Sequence, residues 1–332
     1  MTQPDELSRK TAVATLSVVS NTVLVVLKLV VGISIGAVSI ISEALHSAVD
    51  LIAAIIALMA VRVSGRQADQ DHPFGHGKYE NVSGAVEALL IFVAAAWIVY
   101  EAVHRLLKPA PLEAVDWGVL VMLVSAVANT LVSSRLFKVG KETDSLALQA
   151  DAWHLRTDVY TSVGVMVGLG LIWLGRRLLP GVGLDWLDPV AAITVAVLII
   201  KAAWDLTAQS VRGLLDTGLD ADDLAWIRDY LGSLVPRVRG HHHLHTRKGG
   251  ATRFIEMHVV VAGSMSVTDS HGLTEEIMAG LRDHFPGARV MIHVEPCGRD
   301  CDALCRAGCF VPEDQQPTSG PTAKSGEPTG SV

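Results

Sequence analysis

Cysteine is absent from the first 296 residues, and the four that exist, Cys297, Cys301, Cys305 and Cys309, sit four apart near the end. A disulfide framework holding the fold together is therefore not expected, and a thiolate metal site is the livelier reading of the cluster. Its spacing is not that of a zinc finger, and Pro296, Gly298 and Gly308 argue against a regular helix carrying all four. Charge is also scarce. Asp, Glu, Lys and Arg make up 18% of the 332 residues, the net charge is −7, and no Lys/Arg block or stripe stands out. Nucleic acid is excluded as a partner on that ground. No His-Glu-x-x-His occurs, so the helix motif of a zinc protease is missing. No cleavable signal peptide is expected either, because Met1–Lys10 is polar and the apolar stretch after it is too long for one.

Apolar sequence is what the chain has in abundance, at 50% of residues. That value with so little charge predicts an α-helical membrane protein bearing a polar appendage. Six segments reach the roughly 20 residues a helical span needs: Ala12–Ile33, Ile35–Val63, Glu80–Leu107, Ala114–Phe137, Leu146–Leu174 and Trp186–Leu206. Short loops on one side carry Arg9, Lys10, Arg62, Arg66, Lys78, Arg135, Lys138 and Lys141; the other side carries Arg105, Lys108, Arg176 and Arg177. Eight against four predicts that both termini are cytoplasmic in the inner (plasma) membrane.

After about Gln209 the composition becomes that of a soluble domain. The order read from periodicity is a helix over Asp220–Leu234, strands over Val238–Arg247 and Arg253–Val261, a helix over Ser266–Phe285 and a strand over Arg289–Val294. That is a small α+β domain. The expected organisation is an N-terminal tail over 1–11, a six-helix transmembrane domain over 12–209, the cytoplasmic domain over 210–297, and a Cys-containing, otherwise disordered tail over 298–332.

Two apolar segments each contain His-x-x-x-Asp, as His46 with Asp50 and His154 with Asp158. Four-residue spacing puts the members of each pair on one helix face. Ionisable groups in a span are costly and read as functional. Two imidazoles and two carboxylates supply the four ligands zinc takes, and the two negative charges neutralise the ion. The alternative is that each His hydrogen-bonds its own Asp and only supports packing. Glu43, Glu87 and Asp151 are candidates to line an approach to the site. A full set of protein ligands leaves no open position for water, which suits capture and release better than hydrolysis. Protons compete with metal for the same atoms, so metal/proton exchange is the expected coupling.

Asp69, His72 and His76 form a second ligand set in the loop before the third span. A third group comprises His241, His242, His243 and His245, then His258, His271, and His293 with Glu295. Strand alternation predicts His242 on one face of its strand and His241, His243 and His245 on the other.

The two tetrads and the stretch Asp-x-x-His-Pro-Phe-Gly-His-Gly-Lys over 69–78 resemble the cation diffusion facilitator family of metal transporters, over about residues 10–297. The resemblance implies six transmembrane helices, a cytoplasmic ferredoxin-like domain and a homodimer in the lipid bilayer. It implies transport through His46, Asp50, His154 and Asp158, a loop site at Asp69, His72 and His76, and a binuclear cytoplasmic site at His242, His258, His271, His293 and Glu295. The expected activity is export of zinc for protons, with zinc also a structural or regulatory ion and no organic cofactor. A metal sensor or scaffold that does not transport, and a family member moving cobalt, nickel, iron or cadmium, are the alternatives. His46 stands where bacterial exporters often have Asp, and Glu295 where Asp is common. His241, His243, His245 and the four Cys lie outside the shared pattern.

Overall fold

The computed structural model describes residues 3–35, 38–107, 116–178, 186–298, 303–312 and 316. The chain divides into two compact units, Met1–Leu215 with Gly249–Ala251, and Asp216–Lys248 with Thr252–Val332.

The first unit is built on six long helices: α1 Gln3–Ile35, α2 Val38–Ser64, α3 Lys78–Leu107, α4 Asp116–Glu142, α5 Leu146–Leu178 and α6 Leu187–Leu214. Among the described residues, α1, α2, α3 and α6 contain segments long and apolar enough to cross a membrane. Helix α5 is the central member. Its Ala147, Leu148, Ala152 and Leu155 pack with α1, α2 and α4. Its Ala150 packs with α3 and α6 through Ala88, Ile91, Ile199 and Ala203. Alanine dominates these contacts, with Ala53, Ala54 and Ala57 of α2 also fully buried. Small side chains let helices approach closely, the main source of association where lipid removes the hydrophobic drive.

Several helices outrun the apolar segments that announce them. The first begins at Gln3 rather than Ala12, and Lys10 on its early turns is buried. The reason is a polar hub. Lys10 Nζ lies 3.2 Å from Glu80 Oε1, Ser64 Oγ donates to the same oxygen at 2.9 Å, and Ser145 Oγ donates to Oε2 at 2.5 Å. Glu80 is 1% exposed. These bonds join the start of α1, the end of α2, the start of α3 and the residue preceding α5.

The second unit runs α7 Ala221–Ser233, β1 Gly240–Gly249, β2 Thr252–Val261, α8 Val267–His284, β3 Arg289–Pro296 and the short α9 Ala303–Ala307. Its sheet order is β1-β2-β3, with β2 and β3 parallel. Gly250 and Ala251 alone separate β1 from β2, and so short a connection makes the pair an antiparallel hairpin. Both helices pack on the sheet. Ile227 and Leu231 of α7, Ile255 and Met257 of β2, and Ile277 and Leu281 of α8 are fully buried, each contributing about 1.5–3 kcal/mol. Ser266 caps α8 by accepting the Asp269 N–H at 3.1 Å. The fold class is thus a helical membrane unit followed by an α+β domain.

The stretch expected to be disordered is partly built in. Gly240 bridges Cys309, His241 N donates to Gly308 O at 2.9 Å, and Phe310 N donates to Arg239 O at 2.8 Å. Phe310 packs on the domain core, which is why this piece of a polar tail is held. Residues 317–332 lie outside the described residues.

Candidate functional site

Small residues around Asp50 and His154 bring α2 and α5 together, and the tetrads meet across that contact. His154 Nε2 donates to Asp50 Oδ1 at 3.0 Å, and His46 Nε2 lies 3.6 Å from Asp158 Oδ1. Each His therefore faces the Asp of the other helix. The alternative of a pair closed within one helix does not describe this geometry. One ligand atom each from His46, Asp50 and Asp158 lie within 4.8 Å of one another, and His154 joins through Asp50. Asp50 and His154 are buried, while the His46 side chain is 53% exposed, so the site is open on that side. His154 Nδ1 is buried without a hydrogen bond. Asn129 Nδ2 approaches Asp158 Oδ2 at 3.5 Å, a weak contact.

Glu87 and Asp151 are fully buried. Ser83 Oγ donates to Glu87 Oε1 at 3.1 Å, while Ser17 faces Asp151 without closing a hydrogen bond. Neither side chain is open to solvent, and the Glu43 side chain lies outside the described residues. Sequence reasoning missed Lys28, which is buried and donates to Ser47 Oγ at 2.8 Å, beside His46. A Lys inside an apolar run was the available signal.

The loop set is assembled by its own backbone. Gly75 N donates to His72 O at 2.9 Å, closing a turn that needs the φ of +88° glycine adopts freely. Asp69 Oδ1 accepts the His72 N–H at 2.7 Å, and Oδ2 lies 3.4 Å from His76 Nε2. The three ligand atoms fall within 4.8 Å, and the two His rings are 4.3 Å apart. The His72 backbone N–H holds the Asp69 carboxyl below its ordinary range, outweighing desolvation and aided by His76 and His72. A pre-ionised carboxylate beside two imidazoles is suited to a divalent ion.

In the α+β unit, the register sets His258 against His293 and Val260 against Glu295, so alternation brings His258, His293 and Glu295 to one face. Glu295 is the hub: Oε2 accepts from His242 Nε2 at 3.0 Å, Oε1 accepts from His258 Nδ1 at 2.8 Å, and His293 Nε2 lies 3.6 Å away. Burial pushes the Glu295 carboxyl up, but the hydrogen bond from His258 and the charges of His242 and His258 outweigh it and leave it lowered.

One expectation is corrected here. Strict alternation fails at His243, whose φ is +49°, so its ring lies with those of His242 and His258 at 5.0 and 4.9 Å instead of on the opposite face. His245 stacks on His243 at 6.0 Å, and His241 turns inward against Phe310 at 5.4 Å. Burial, with Arg228 nearby, holds the His241 imidazole below its ordinary value. His271 is exposed on α8 and is not among the converging ligand atoms. Cys297 and Cys309 are free thiols, and Cys301 lies outside the described residues. Among the described residues no converging ligand group includes a Cys.

Comparison with known proteins matches residues 14–215 to the cation efflux transmembrane domain and residues 219–297 to the cytoplasmic domain of cation efflux proteins. The uncharacterized transporter sll1263 of Synechocystis is 37% identical over 261 residues, 79% of this chain and 82% of that protein. The cation-efflux pump FieF of Cronobacter sakazakii is 31% identical over 276 residues, 83% of this chain and 89% of the pump. Among solved structures, the metal-bound C-terminal domain of the CzcD transporter from Thermotoga maritima is 32% identical, covering 24% of this chain and 96% of that domain, with a TM-score of 0.22. The Zn form of CzrB is 38% identical, covering 24% and 92%, with a TM-score of 0.24.

Proposed function

This chain belongs to the cation diffusion facilitator family of cation efflux transporters, and from that premise we propose that it exports zinc from the cytoplasm in exchange for protons. It is a multi-pass membrane transporter and not an enzyme. The cargo binds at His46, Asp50, His154 and Asp158. The observation that carries this reading is the convergence of donors from two helices, with ligand atoms of three residues within 4.8 Å and His154 on Asp50 at 3.0 Å.

Two carboxylates cancel the charge of a divalent ion, which makes its stay among apolar helices affordable. Mixed nitrogen and oxygen donors in a small cage favour zinc or cobalt over manganese. Imidazole must be neutral and carboxylate ionised to hold metal, so protons arriving from the outer side displace it. Both termini face the cytoplasm in this reading, and the chain works as a homodimer. Asp69, His72 and His76 hold a second ion. His242, His258, His293 and Glu295, together with the exposed His271, form a binuclear regulatory site. The Cys tail is a separate thiolate candidate.

The test is metal uptake into inverted vesicles. Asp50→Ala should abolish zinc uptake and leave binding by the α+β unit intact. An imposed pH gradient should accelerate wild-type flux. Normal uptake by Asp50→Ala removes the site, flux indifferent to the gradient removes the proton coupling, and binding without flux in the wild type turns the assignment into a metal sensor. Competition by cobalt, nickel, iron, cadmium and manganese ranks the cargo.

A further inference from the structure

Glu87 and Asp151 are buried carboxyls that form no part of the cargo site. They stand on α3 and α5, where the adjoining Ala88 and Ala150 pack together, and Asp151 lies within electrostatic reach of Glu87. Both side chains are fully buried. Ser83 Oγ donates to Glu87 Oε1 at 3.1 Å, but Glu87 Oε2 and both oxygens of Asp151 have no hydrogen bond. The polar side chains of α1 are equally unpaired. Ser17 Oγ faces Asp151, and Asn21 Nδ2 lies one turn further along the same face, each buried without a partner.

Two carboxylates stripped of water repel each other, so both cannot stay ionised in such a place. A metal ion would neutralise them, yet the converging ligand groups among the described residues leave both out. A lysine or arginine would serve too, but the groups acting on the pair from α1, α2, α3 and α5 are Ser17, Asp50, Ser83 and His154. Helix α6 adds only Ile199, Ala203 and Leu206 to the packing around Ala88 and Ala150. What remains is a proton. Its position gives it a role. Asp151, His154 and Asp158 share one face of α5, so the pair sits one turn from the cargo ligands. Glu80, Ser83 and Glu87 line one face of α3, which leads back to the hub at Lys10 and Ser145.

We propose that Glu87 and Asp151 share a proton that is given up when the cargo binds, so that part of the exchange is carried outside the metal ligands. This rests on the metal/proton exchange proposed above. A divalent cation at Asp50 and His154 brings positive charge to within a turn of the pair, which favours carboxylate over carboxylic acid. The O–H bond of the shared acid breaks, its electron pair stays on the carboxylate, and the proton leaves toward the hub on the cytoplasmic side. When the cation departs, the pair takes up a proton again. Linkage makes the effect mutual: the pair's proton weakens cation binding by the same factor as the cation weakens the hold on the proton.

The experiment counts protons released per zinc ion bound by the purified full-length protein, read with a pH indicator in weak buffer. Glu87→Gln with Asp151→Asn keeps both shapes but can hold no proton. This double variant should bind zinc to the same number per chain and release about one proton fewer per chain, with a correspondingly shallower pH dependence of zinc affinity. Each single substitution ends the sharing and should cut the release in the same direction, which guards against a folding failure of the double. In the Asp50→Ala background, where no cargo arrives, the double substitution should change nothing. In infrared difference spectra, zinc should remove from the wild type a carboxylic-acid carbonyl band that the double variant lacks. Equal proton release by the wild type and all three variants overturns the proposal, as does a loss of the same size in the Asp50→Ala background. Normal zinc uptake by Asp50→Ala instead overturns the cargo site, and flux indifferent to a pH gradient overturns the exchange, so the failures are told apart.

Discussion

Glu80→Gln removes the negative charge of the hub that joins the ends of α1, α2, α3 and α5 without changing the side chain's shape. Lys10 then keeps a positive charge on a side chain that is 10% exposed, with its carboxylate partner gone. Breaking a buried pair by removing one partner costs about 3–5 kcal/mol. The glutamine oxygen can still accept from Ser64 or Ser145, so the lower end, about 3 kcal/mol, is the expected loss. Lys10→Met strands the opposite charge and should cost a similar amount. The double variant removes both charges, so its loss should stay near 3 kcal/mol rather than the sum of about 6, a coupling near the top of the range for contacting residues. Denaturant unfolding in detergent of the four proteins measures it. If the two single losses add within about 0.5 kcal/mol, the pair is uncoupled and the hub does not hold these helices together.

Two further perturbations address the α+β unit. Gly308→Ala places a Cβ 1.7 Å from the His241 carbonyl oxygen, a backbone atom that cannot step aside. It should release residues 303–312 from β1, seen as faster hydrogen exchange there and at His241; unchanged protection refutes the strap. Arg237 chelates Glu276 at 2.6 and 2.7 Å, and this hydrogen bonding holds the Glu276 carboxyl below its ordinary range. A depressed folded-state pKa stabilises above the unfolded value of about 4.3 and is lost as pH falls through the folded one. Glu276→Gln should therefore flatten the acid limb of the stability profile below that pH and leave the shape near neutrality unchanged. A parallel downward shift at all pH values would contradict the assignment.

Much of this was legible because local rules governed it. The apolar runs gave the long helices, and periodicity gave the order of helices and strands in the α+β unit, including α8 and the strands that carry His258 and His293. The tetrads were legible as candidate ligand sets, but their pairing was not: an i,i+4 spacing equally allows a bond within one helix, and only packing decides. Residues 3–11 extend α1 because Lys10 meets Glu80, a contact between distant positions that hydropathy cannot register. The flip at His243 depends on one backbone angle, and the hold on Phe310 on a core assembled from four other elements.

The crossed arrangement of the tetrads fixes how α2 and α5 can move. Two rungs, His46 to Asp158 and Asp50 to His154, require the helices to run antiparallel where they touch. Slide one helix by a turn, about 5.4 Å, and every legitimate rung is lost. In one direction Asp50 comes opposite Asp158, two carboxylates together. In the other, His46 comes opposite His154, two imidazoles with no anion between them. The sequence thus penalises a slipped register in both directions, much as like charges penalise the wrong pairing in a sheet. Axial sliding is closed to this pair of helices, and any motion that opens the site must tilt or rotate them.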